Sequence, residues 1–440
     1  MSNIFQVKKK IERFNNKRII VPGDKSLSIR WVLFSSLANG KSLAVNLLQS
    51  EDVLAALNAI NKLGIKTKLK KNKCTIFGKG INGYRYKKNL IIDAKNSGTL
   101  GRLLLGLLVN TDKTIKIIGD KSLSKRDFKR VSDPLSKFGV KFKLTKGKYL
   151  PLTVLGKKDL KPIYYLEKKG SAQCKSSVIF AGFRTEGTTK IKAKKSRNHT
   201  ELLCKYLKLP VKIKNNKNFD LIKVNKLKKI PPLNYKIPSD ISSAAFFIVL
   251  TILTPKSSLI IKHVNINSSR IGVITILKRM GAKIFLKNKR IYKGEMSADI
   301  YVYGTQNLKS INCPTKFNSG AIDEFLLIFL VAAKAKGVSQ FRNLSELNQK
   351  ESPRLKWGEK ILNYIGVKTK TTDHSIKIYG NPNLELKKKI EIKNFLKDHR
   401  VFMACVIAAK CFGGQWKIHD KESIKTSFPN FLDIISTLDK

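Results

Sequence analysis

Residues 21–30 read Val21-Pro-Gly-Asp-Lys-Ser-Leu-Ser-Ile-Arg30, a turn that leads into a helix. A polar residue of this stretch suits the N-cap, and an apolar run follows from Trp31 to Ala38. The N-terminus of such a helix presents free backbone N–H groups close to hydroxyls, Lys25 and Arg30. The stretch predicts either an anion-binding site or an ordinary capped helix with solvated cations, and it does not by itself decide between them.

Length and composition bound the class of protein. The chain has 440 residues, of which 42% are hydrophobic, so it is long enough for two domains with complete cores. The N-terminus lacks the apolar core of a signal peptide, and the longest apolar runs are too short to span a bilayer. The six cysteines are scattered without a C-x-x-C pair, which argues against a disulfide framework or a zinc site. We therefore expect a cytoplasmic protein without a membrane partner.

The formal net charge of +58 invites a nucleic-acid interpretation, but its distribution argues against one. Lysines occur in almost every segment, and no RNP-type aromatic motif, zinc finger or basic tail stands out. We interpret the lysines as a solvated surface, with non-specific binding of polyanions at low salt as the alternative.

Only 15 of the 88 basic residues are Arg, and many of these lie in or beside Gly/Ser-rich turns. They are Arg30, Arg102, Arg126, Arg130, Arg197, Arg270, Arg354 and Arg400. Since most cations of this chain are Lys, an Arg suggests a position where a planar guanidinium that can form two parallel hydrogen bonds is needed.

Two short patterns alternate along the chain and indicate a repeat. The first is a helix end, a turn and a Ser/Thr-rich strand, and it recurs every 68 to 82 residues. The second follows 22 to 29 residues later as a helix, a Gly that can cap it in the left-handed conformation, and a β-branched strand. Together they predict six α/β units of roughly 70 residues each.

The sixth unit ends at residues 431–438 without a following strand, which predicts that residues 3–14 complete it. This closure makes one domain from both chain ends, 1–20 plus 237–440, and a middle domain, 21–236. Three units fall in each domain, and we expect the ligand site in the cleft between them.

Further polar turns precede apolar helices. They are Asn96–Arg102, Gly119–Arg126, Ser171–Ser177, Ser196–Glu201, Pro238–Ser243, Asn318–Glu324, Gln349–Arg354 and Lys397–Arg400. Each is an ordinary capping signal, but together they predict helix N-termini directed at an anionic, doubly phosphorylated set of ligands. Asp323 and Glu351 lie among these cations, either as proton-transfer groups or as salt-bridge partners.

Seven motifs, in this order, resemble the 5-enolpyruvylshikimate-3-phosphate synthase family. They are Pro22-Gly-Asp-Lys-Ser26, Asn96-Ser-Gly-Thr99, Ser171-Ala-Gln173, Pro238-Ser-Asp-Ile-Ser-Ser-Ala-Ala245, Lys350-Glu-Ser352, Asp398-His-Arg400 and Ser427-Phe-Pro429. The resemblance implies an α/β fold of two domains, each with three repeated βαβαββ-like units of the inside-out α/β barrel type. It also implies transfer of the enolpyruvyl group of phosphoenolpyruvate to shikimate 3-phosphate, without a metal or cofactor. We expect a monomer with no specific nucleic-acid partner.

The resemblance also assigns roles to residues. The shikimate 3-phosphate site would comprise Lys25, Ser26, Arg30, Ser171, Ala172, Gln173, Ser196, Asp323 and Lys350. The phosphoenolpyruvate site would comprise Lys25, Gly98, Arg126, Gln173, Arg354 and Arg400. Asp323 would act as the base, Glu351 would take part in protonating the methylene carbon, and Lys25 would contact both substrates. Thr426 stands where many members of the family carry a phosphoenolpyruvate-binding Lys, although Lys425 is adjacent.

Two other hypotheses remain at this point. One is the sister activity, UDP-N-acetylglucosamine enolpyruvyl transfer, whose Cys-bearing loop ahead of an Arg is not evident in this sequence. The other is a basic nucleic-acid-binding or assembly protein that kept the fold without the activity. Phosphate release from the two substrates would separate all three.

Overall fold

The computed structural model describes residues 3–439, so residues 1, 2 and 440 of the expected domain ranges lie outside the described part. Its strands are β1 Ile4–Val7, β2 Lys17–Ile19, β3 Asn39–Val45, β4 Lys66–Lys70, β5 Lys73–Lys79, β6 Leu90–Asp93, β7 Ile115–Ile118, β8 Lys141–Thr145, β9 Tyr149–Leu155, β10 Tyr164–Glu167, β11 Thr188–Lys194, β12 Val211–Asn215, β13 Phe219–Asn225, β14 Tyr235–Lys236, β15 Ser258–Asn265, β16 Lys283–Tyr292, β17 Glu295–Tyr303, β18 Gly337–Phe341, β19 Thr369–Thr372, β20 Ser375–Gly380, β21 Leu386–Ile392 and β22 Gly413–His419.

The α-helices alternate with these strands. They are α1 Lys25–Ser36, α2 Glu51–Lys62, α3 Gly98–Leu107, α4 Lys129–Ser136, α5 Ala172–Gly182, α6 His199–Tyr206, α7 Ile241–Leu253, α8 Gly272–Arg279, α9 Asn318–Ala321, α10 Phe325–Ala333, α11 Arg354–Tyr364, α12 His399–Phe412 and α13 Phe431–Leu438. Short 3₁₀ helices lie at Leu123–Lys125, Thr315–Phe317, Ser345–Gln349 and Lys421–Thr426. No helix in the described part of the chain is both long and apolar enough to cross a membrane.

The chain divides into two compact units. The first contains the residues up to Pro22, Pro238–Ile291 and the residues from Met296 onward, and the second contains Gly23–Ile237 and Tyr292–Glu295. The sequence predicts boundaries at 20/21 and 236/237, with all of 237–440 in one domain. In the structure, the four residues Tyr292–Glu295 belong instead to the second unit.

The second unit contains three four-stranded sheets, in the orders β14-β3-β5-β4, β6-β7-β9-β8 and β10-β11-β13-β12. In each sheet the first two strands are parallel, and the other neighbours are antiparallel. In the last two sheets, the elements occur along the chain in the order βαβαββ. In the first sheet, the strand parallel to β3 is β14, which lies at the end of the segment Gly23–Ile237. The expected repeat is therefore confirmed.

The first unit also contains three sheets, ordered β16-β17-β15-β2, β18-β20-β19 and β1-β22-β21. Strand β1 pairs with β22 in antiparallel register, with Ile4 opposite His419. The N-terminal segment thus completes the last repeat, as the sequence predicted. Strand β2 pairs in parallel with β15, with Lys17 opposite Leu259, so the N-terminal segment contributes to two of the three sheets.

Three helices occupy the centre of each unit: α1, α3 and α5 in the second, and α7, α10 and α12 in the first. Every residue of α7 and α10 is buried, because both helices are apolar on all sides. The helices nearer the surface, such as α2 and α8, bury one face and expose the other. In each unit, the N-termini of the three central helices coincide with polar turns noted in the sequence.

Candidate active site

The start of α1 carries the turn at residues 21–30. Asp24 is the N-cap, and its carboxylate accepts a hydrogen bond from Leu27 N at 2.9 Å. Lys25 Nζ lies 2.9 Å from Asp52 Oδ2, and its side chain is 22% exposed. The helix is therefore capped in the ordinary way, while Lys25 remains within reach of solvent or a ligand.

Arg30, one turn further along α1, is buried. Its Nε donates to Thr200 Oγ1 at 2.8 Å, its Nη1 to Ser26 O at 3.1 Å, and its Nη2 to Ser176 Oγ at 3.3 Å. Burial lowers the pKa of Arg30 to about 10, although the charge of Glu201 opposes this shift. Among the described residues, these hydrogen bonds of Arg30 all go to neutral oxygens. A buried guanidinium held in this way suits an anionic ligand.

The starts of α3 and α5 are joined through Gln173. Its Oε1 accepts from Arg102 Nη1 at 2.6 Å, and its Nε2 donates to Thr99 Oγ1 at 3.0 Å. The amide of Gln173 is thereby fixed in one orientation. A Cβ placed on Gly98 would lie 3.0 Å from Arg102 Nη1 and 3.2 Å from Arg126 Nη1, so glycine leaves room for both guanidinium groups.

Arg102 is a residue to which the sequence analysis gave no role, although it was among the scarce arginines. Its guanidinium lies 5.1 Å from the centre of the Phe128 ring. Burial, together with the charge of the neighbouring Arg126, lowers the pKa of Arg102 to about 10. Arg126 itself donates to Asn96 Oδ1 at 2.9 Å. Two arginines therefore lie side by side at the start of α3, which concentrates positive charge there.

The remaining predicted residues of this unit lie at or near helix starts. Ser171 is the N-cap of α5 and accepts from Cys174 N at 3.3 Å, so its hydroxyl has a capping role. Ala172 is the first residue of that helix, where backbone N–H groups lack an intrahelical acceptor. Ser196 precedes α6, and its buried hydroxyl makes no hydrogen bond within residues 3–439. These positions suit hydrogen bonding to a ligand.

In the first unit, the predicted residues gather around Arg354. Its buried guanidinium contacts three carboxylates: Asp398 at 2.9 Å, Asp323 at 3.4 Å, and Glu351. Burial alone would lower the pKa of Arg354, but Asp398 and Glu351 outweigh it, so the pKa is raised. Arg354 therefore keeps its charge and orients the carboxylates around it.

Asp323 lies between cations. Its Oδ1 is 3.2 Å from Lys350 Nζ and 3.4 Å from Arg354 Nη1, and its side chain is 12% exposed. Arg400 Nη1 donates to the backbone carbonyl of Asp323 at 3.0 Å. The predicted residues Asp323, Lys350, Glu351, Arg354 and Arg400 thus form one cluster, which we call the Arg354 cluster. A carboxylate in such a cluster is a candidate to accept a proton.

The structure also decides which side chain lies beside the start of α12. Thr426 Oγ1 is 3.1 Å from His399 Nδ1, whereas the exposed Lys425 pairs with Glu422.

Several supporting residues were not identified from the sequence. Arg270 donates to Ser242 Oγ at 2.7 Å, and the Ser242 hydroxyl donates to Glu324, next to Asp323. These groups are buried, and they tie the start of α7 to the start of α10. The Ser-rich motif around Ser242 was noted, but its partners are distant in sequence. Within residues 3–439, no cluster of three or more His, Cys, Asp or Glu side chains could hold a metal ion.

Comparison with known proteins adds independent information. The sequence profile of EPSP synthase (3-phosphoshikimate 1-carboxyvinyltransferase) matches residues 9–435. A 3-phosphoshikimate 1-carboxyvinyltransferase of Caldicellulosiruptor bescii is 38% identical over 422 residues, which is 96% of each chain.

Solved structures agree with the sequence comparison. The EPSP synthase of Acinetobacter baumannii superposes with a TM-score of 0.87 at 34% identity, covering 99% of this chain and 98% of that one. An enolpyruvyl transferase of Streptomyces tendae, at 13% identity, superposes with a TM-score of 0.76 over 100% of this chain and 98% of the other, and it shows the fold alone.

Proposed function

Because the chain belongs to the EPSP synthase family, we propose that it transfers the enolpyruvyl group of phosphoenolpyruvate to the 5-hydroxyl of shikimate 3-phosphate and releases phosphate. This reaction belongs to the shikimate pathway of aromatic amino-acid biosynthesis. The observation that carries the proposal is Arg30, a buried guanidinium whose hydrogen bonds go to neutral oxygens. The oxygens that accept hydrogen bonds from Arg30 are neutral. An anionic group of the substrate would add a negatively charged acceptor for this guanidinium.

We assign shikimate 3-phosphate to the residues that the resemblance implies for it. They are Lys25, Ser26, Arg30, Ser171, Ala172, Gln173, Ser196, Asp323 and Lys350. Support comes from the exposure of Lys25, from the Ser196 hydroxyl, which has no hydrogen-bond partner in the described part of the chain, and from the N–H groups at the start of α5.

Phosphoenolpyruvate is assigned to Lys25, Gly98, Arg126, Gln173, Arg354 and Arg400. Arginine suits both its phosphate and its carboxylate, since a guanidinium binds either group through two parallel hydrogen bonds. Arg354 is already bonded to Glu351 and Asp323, so an anion that reaches it competes with these carboxylates.

The reaction is an addition followed by an elimination. Asp323 accepts the proton of the 5-hydroxyl while that oxygen bonds to C2 of phosphoenolpyruvate, and Glu351 takes part in delivering a proton to C3. The C–O bond to phosphate then breaks, and a proton leaves the new methyl group to restore the double bond. Lys25 and the arginines stabilise the anionic intermediate because their charges are already in place.

The direct test is phosphate release by the purified protein. We expect one phosphate per product molecule with phosphoenolpyruvate and shikimate 3-phosphate, and none when UDP-N-acetylglucosamine is the acceptor. Release with UDP-N-acetylglucosamine alone would instead identify the sister activity. A lack of release with either acceptor would favour a non-enzymatic role.

The cellular setting is part of the proposal. We propose that the enzyme acts in the cytoplasm as a monomer, without a nucleic-acid partner. The six cysteines are buried and none forms a disulfide, which is compatible with a reducing compartment. Sedimentation at physiological salt tests the oligomeric state and, with added RNA, any association through the net charge of +58.

A further inference from the structure

Two hydroxyl groups hold the guanidinium of Arg30, and neither was singled out in the sequence. Thr200 Oγ1 accepts from Nε at 2.8 Å, and Ser176 Oγ accepts from Nη2 at 3.3 Å. The two hydroxyl oxygens are themselves 2.7 Å apart. Thr200 and Ser176 are fully buried, on α6 and α5 respectively, so water does not replace either contact.

A buried ion pair lies next to this arrangement. Glu201 follows Thr200 on α6, and its Oε1 is 2.5 Å from Lys175 Nζ, with both side chains at most 5% exposed. The charge of Glu201 opposes the effect of burial on the pKa of Arg30. Glu201 contacts Lys175. The hydrogen bonds of Arg30 go instead to the two hydroxyl groups and to the backbone carbonyl of Ser26.

The helix that carries Thr200 is itself anchored. His199 opens α6, and its Nδ1 lies 2.7 Å from Glu295 Oε1, with both side chains buried. Glu295 belongs to the four-residue segment Tyr292–Glu295 of the second unit. Thr200 is therefore fixed through its neighbours on both sides, His199 and Glu201.

We propose that Thr200, assisted by Ser176, is a positioning residue that orients the Arg30 guanidinium toward an anionic oxygen of shikimate 3-phosphate. The proposal rests on the assignment of Arg30 to that substrate. By occupying Nε and one N–H of Nη2, the hydroxyls limit the guanidinium to one orientation. Since the Ser26 carbonyl takes one N–H of Nη1, one N–H on each of Nη1 and Nη2 is left for the ligand. A guanidinium oriented in advance loses less freedom when the ligand binds.

Thr200→Val tests this role because valine keeps the shape and lacks the hydroxyl. We expect the dissociation constant of shikimate 3-phosphate, measured by calorimetry without phosphoenolpyruvate, to rise about tenfold. The KM for shikimate 3-phosphate should rise by a similar factor, while kcat and the KM for phosphoenolpyruvate at saturating shikimate 3-phosphate stay within about twofold. Thr200→Ser restores the hydroxyl and should restore the affinity.

Thr189→Val is the matched control, since Thr189 is a fully buried threonine of the same unit whose hydroxyl makes no hydrogen bond within residues 3–439. It should leave the affinity unchanged. Ser176→Ala should raise the dissociation constant of shikimate 3-phosphate by about threefold. If Thr200→Val does not fold, this variant provides the test of the positioning role.

The outcomes separate this inference from the proposed function. An active wild type together with unchanged affinity in Thr200→Val and Ser176→Ala overturns only the positioning role. Equal losses for both substrates in Thr200→Val, without rescue by Thr200→Ser, also overturn it, because they indicate a merely structural residue. A wild type that neither binds nor converts shikimate 3-phosphate overturns both proposals.

Discussion

Arg354 Nε lies 2.9 Å from Asp398 Oδ2, and both side chains are buried. The same carboxylate is the N-cap of α12, accepting from Arg400 N at 2.9 Å, and it accepts from Ser352 Oγ at 2.8 Å. One acidic side chain thus joins the start of α11 to the start of α12 and holds two arginines assigned to phosphoenolpyruvate. Its loss should affect both stability and ligand binding.

Asp398→Asn should lower the free energy of unfolding by about 3 to 5 kcal/mol at neutral pH, because it removes one partner of a buried pair. Burial alone would raise the pKa of Asp398, but Arg354 outweighs it, so the pKa lies below its ordinary value of 3.8. The stabilisation is then complete above pH 3.8 and is lost as the pH falls through the lower, folded-state pKa.

Urea unfolding of the wild type and Asp398→Asn between neutral and acidic pH measures this effect. The difference between the two proteins should shrink in acid. Asp433→Asn, an exposed acidic residue on α13, serves as the control and should change little. A difference that stays constant down to the acid transition would show that the ion pair is not its cause.

Asp323→Asn should reduce kcat by ~10²–10⁴, because asparagine keeps the shape of the side chain but cannot accept the proton. The dissociation constants of both substrates should change far less. Steady-state kinetics and calorimetry on the same preparation check this. Near-normal turnover would remove Asp323 from the mechanism.

Glycine to alanine changes at two positions of α3 should have opposite consequences. In Gly98→Ala the new methyl group meets the flexible ends of Arg102 and Arg126 at 3.0 and 3.2 Å, so both guanidinium groups must shift slightly. We expect a severalfold higher KM for phosphoenolpyruvate with little change in melting temperature. In Gly106→Ala the methyl group would lie 2.1 Å from the Ser177 carbonyl oxygen, forcing α3 and α5 apart.

Gly106→Ala should therefore lower the free energy of unfolding by about 1 to 3 kcal/mol or more. Thermal unfolding and steady-state kinetics of both variants separate the two effects. Similar melting temperatures for Gly98→Ala and Gly106→Ala would contradict the packing described for α3.

Arg126→Lys should weaken phosphoenolpyruvate binding, because an ammonium group cannot reproduce a bidentate guanidinium contact. Arg85→Lys is the matched control, since exposed Arg85 donates to nearby backbone carbonyls. The KM for phosphoenolpyruvate should rise in the first variant only. Equal, negligible effects would show that the scarcity of arginine carries no functional information.

The repeat architecture was predictable because its signals are local. Glycine caps such as Gly64 and Gly139, both with positive φ, end a helix before a strand wherever they recur. The apolar runs of α7 and α10 identify central helices because no face of either helix is polar. Spacing of such features along the chain is sufficient to count the units.

Pairs of distant residues were not predictable in the same way. The contacts of Arg30 with Thr200 and of His199 with Glu295 join residues that no periodicity relates. The pairing of Lys17 with Leu259 likewise depends on which strand β2 lies beside, and amino-acid composition does not specify that neighbour. The resemblance supplied residues expected to touch the substrates, whereas the residues that orient them emerged from the packing.

The pairing of β1 with β22 has a consequence for biosynthesis. His419, the partner of Ile4, is synthesised roughly 20 to 80 s after Ile4 at typical elongation rates. The segment Gly23–Ile237 is complete long before then and can begin to fold during translation. The N-terminal strand must meanwhile wait without its partner, so nascent chains halted before β22 should leave it accessible to proteases and chaperones.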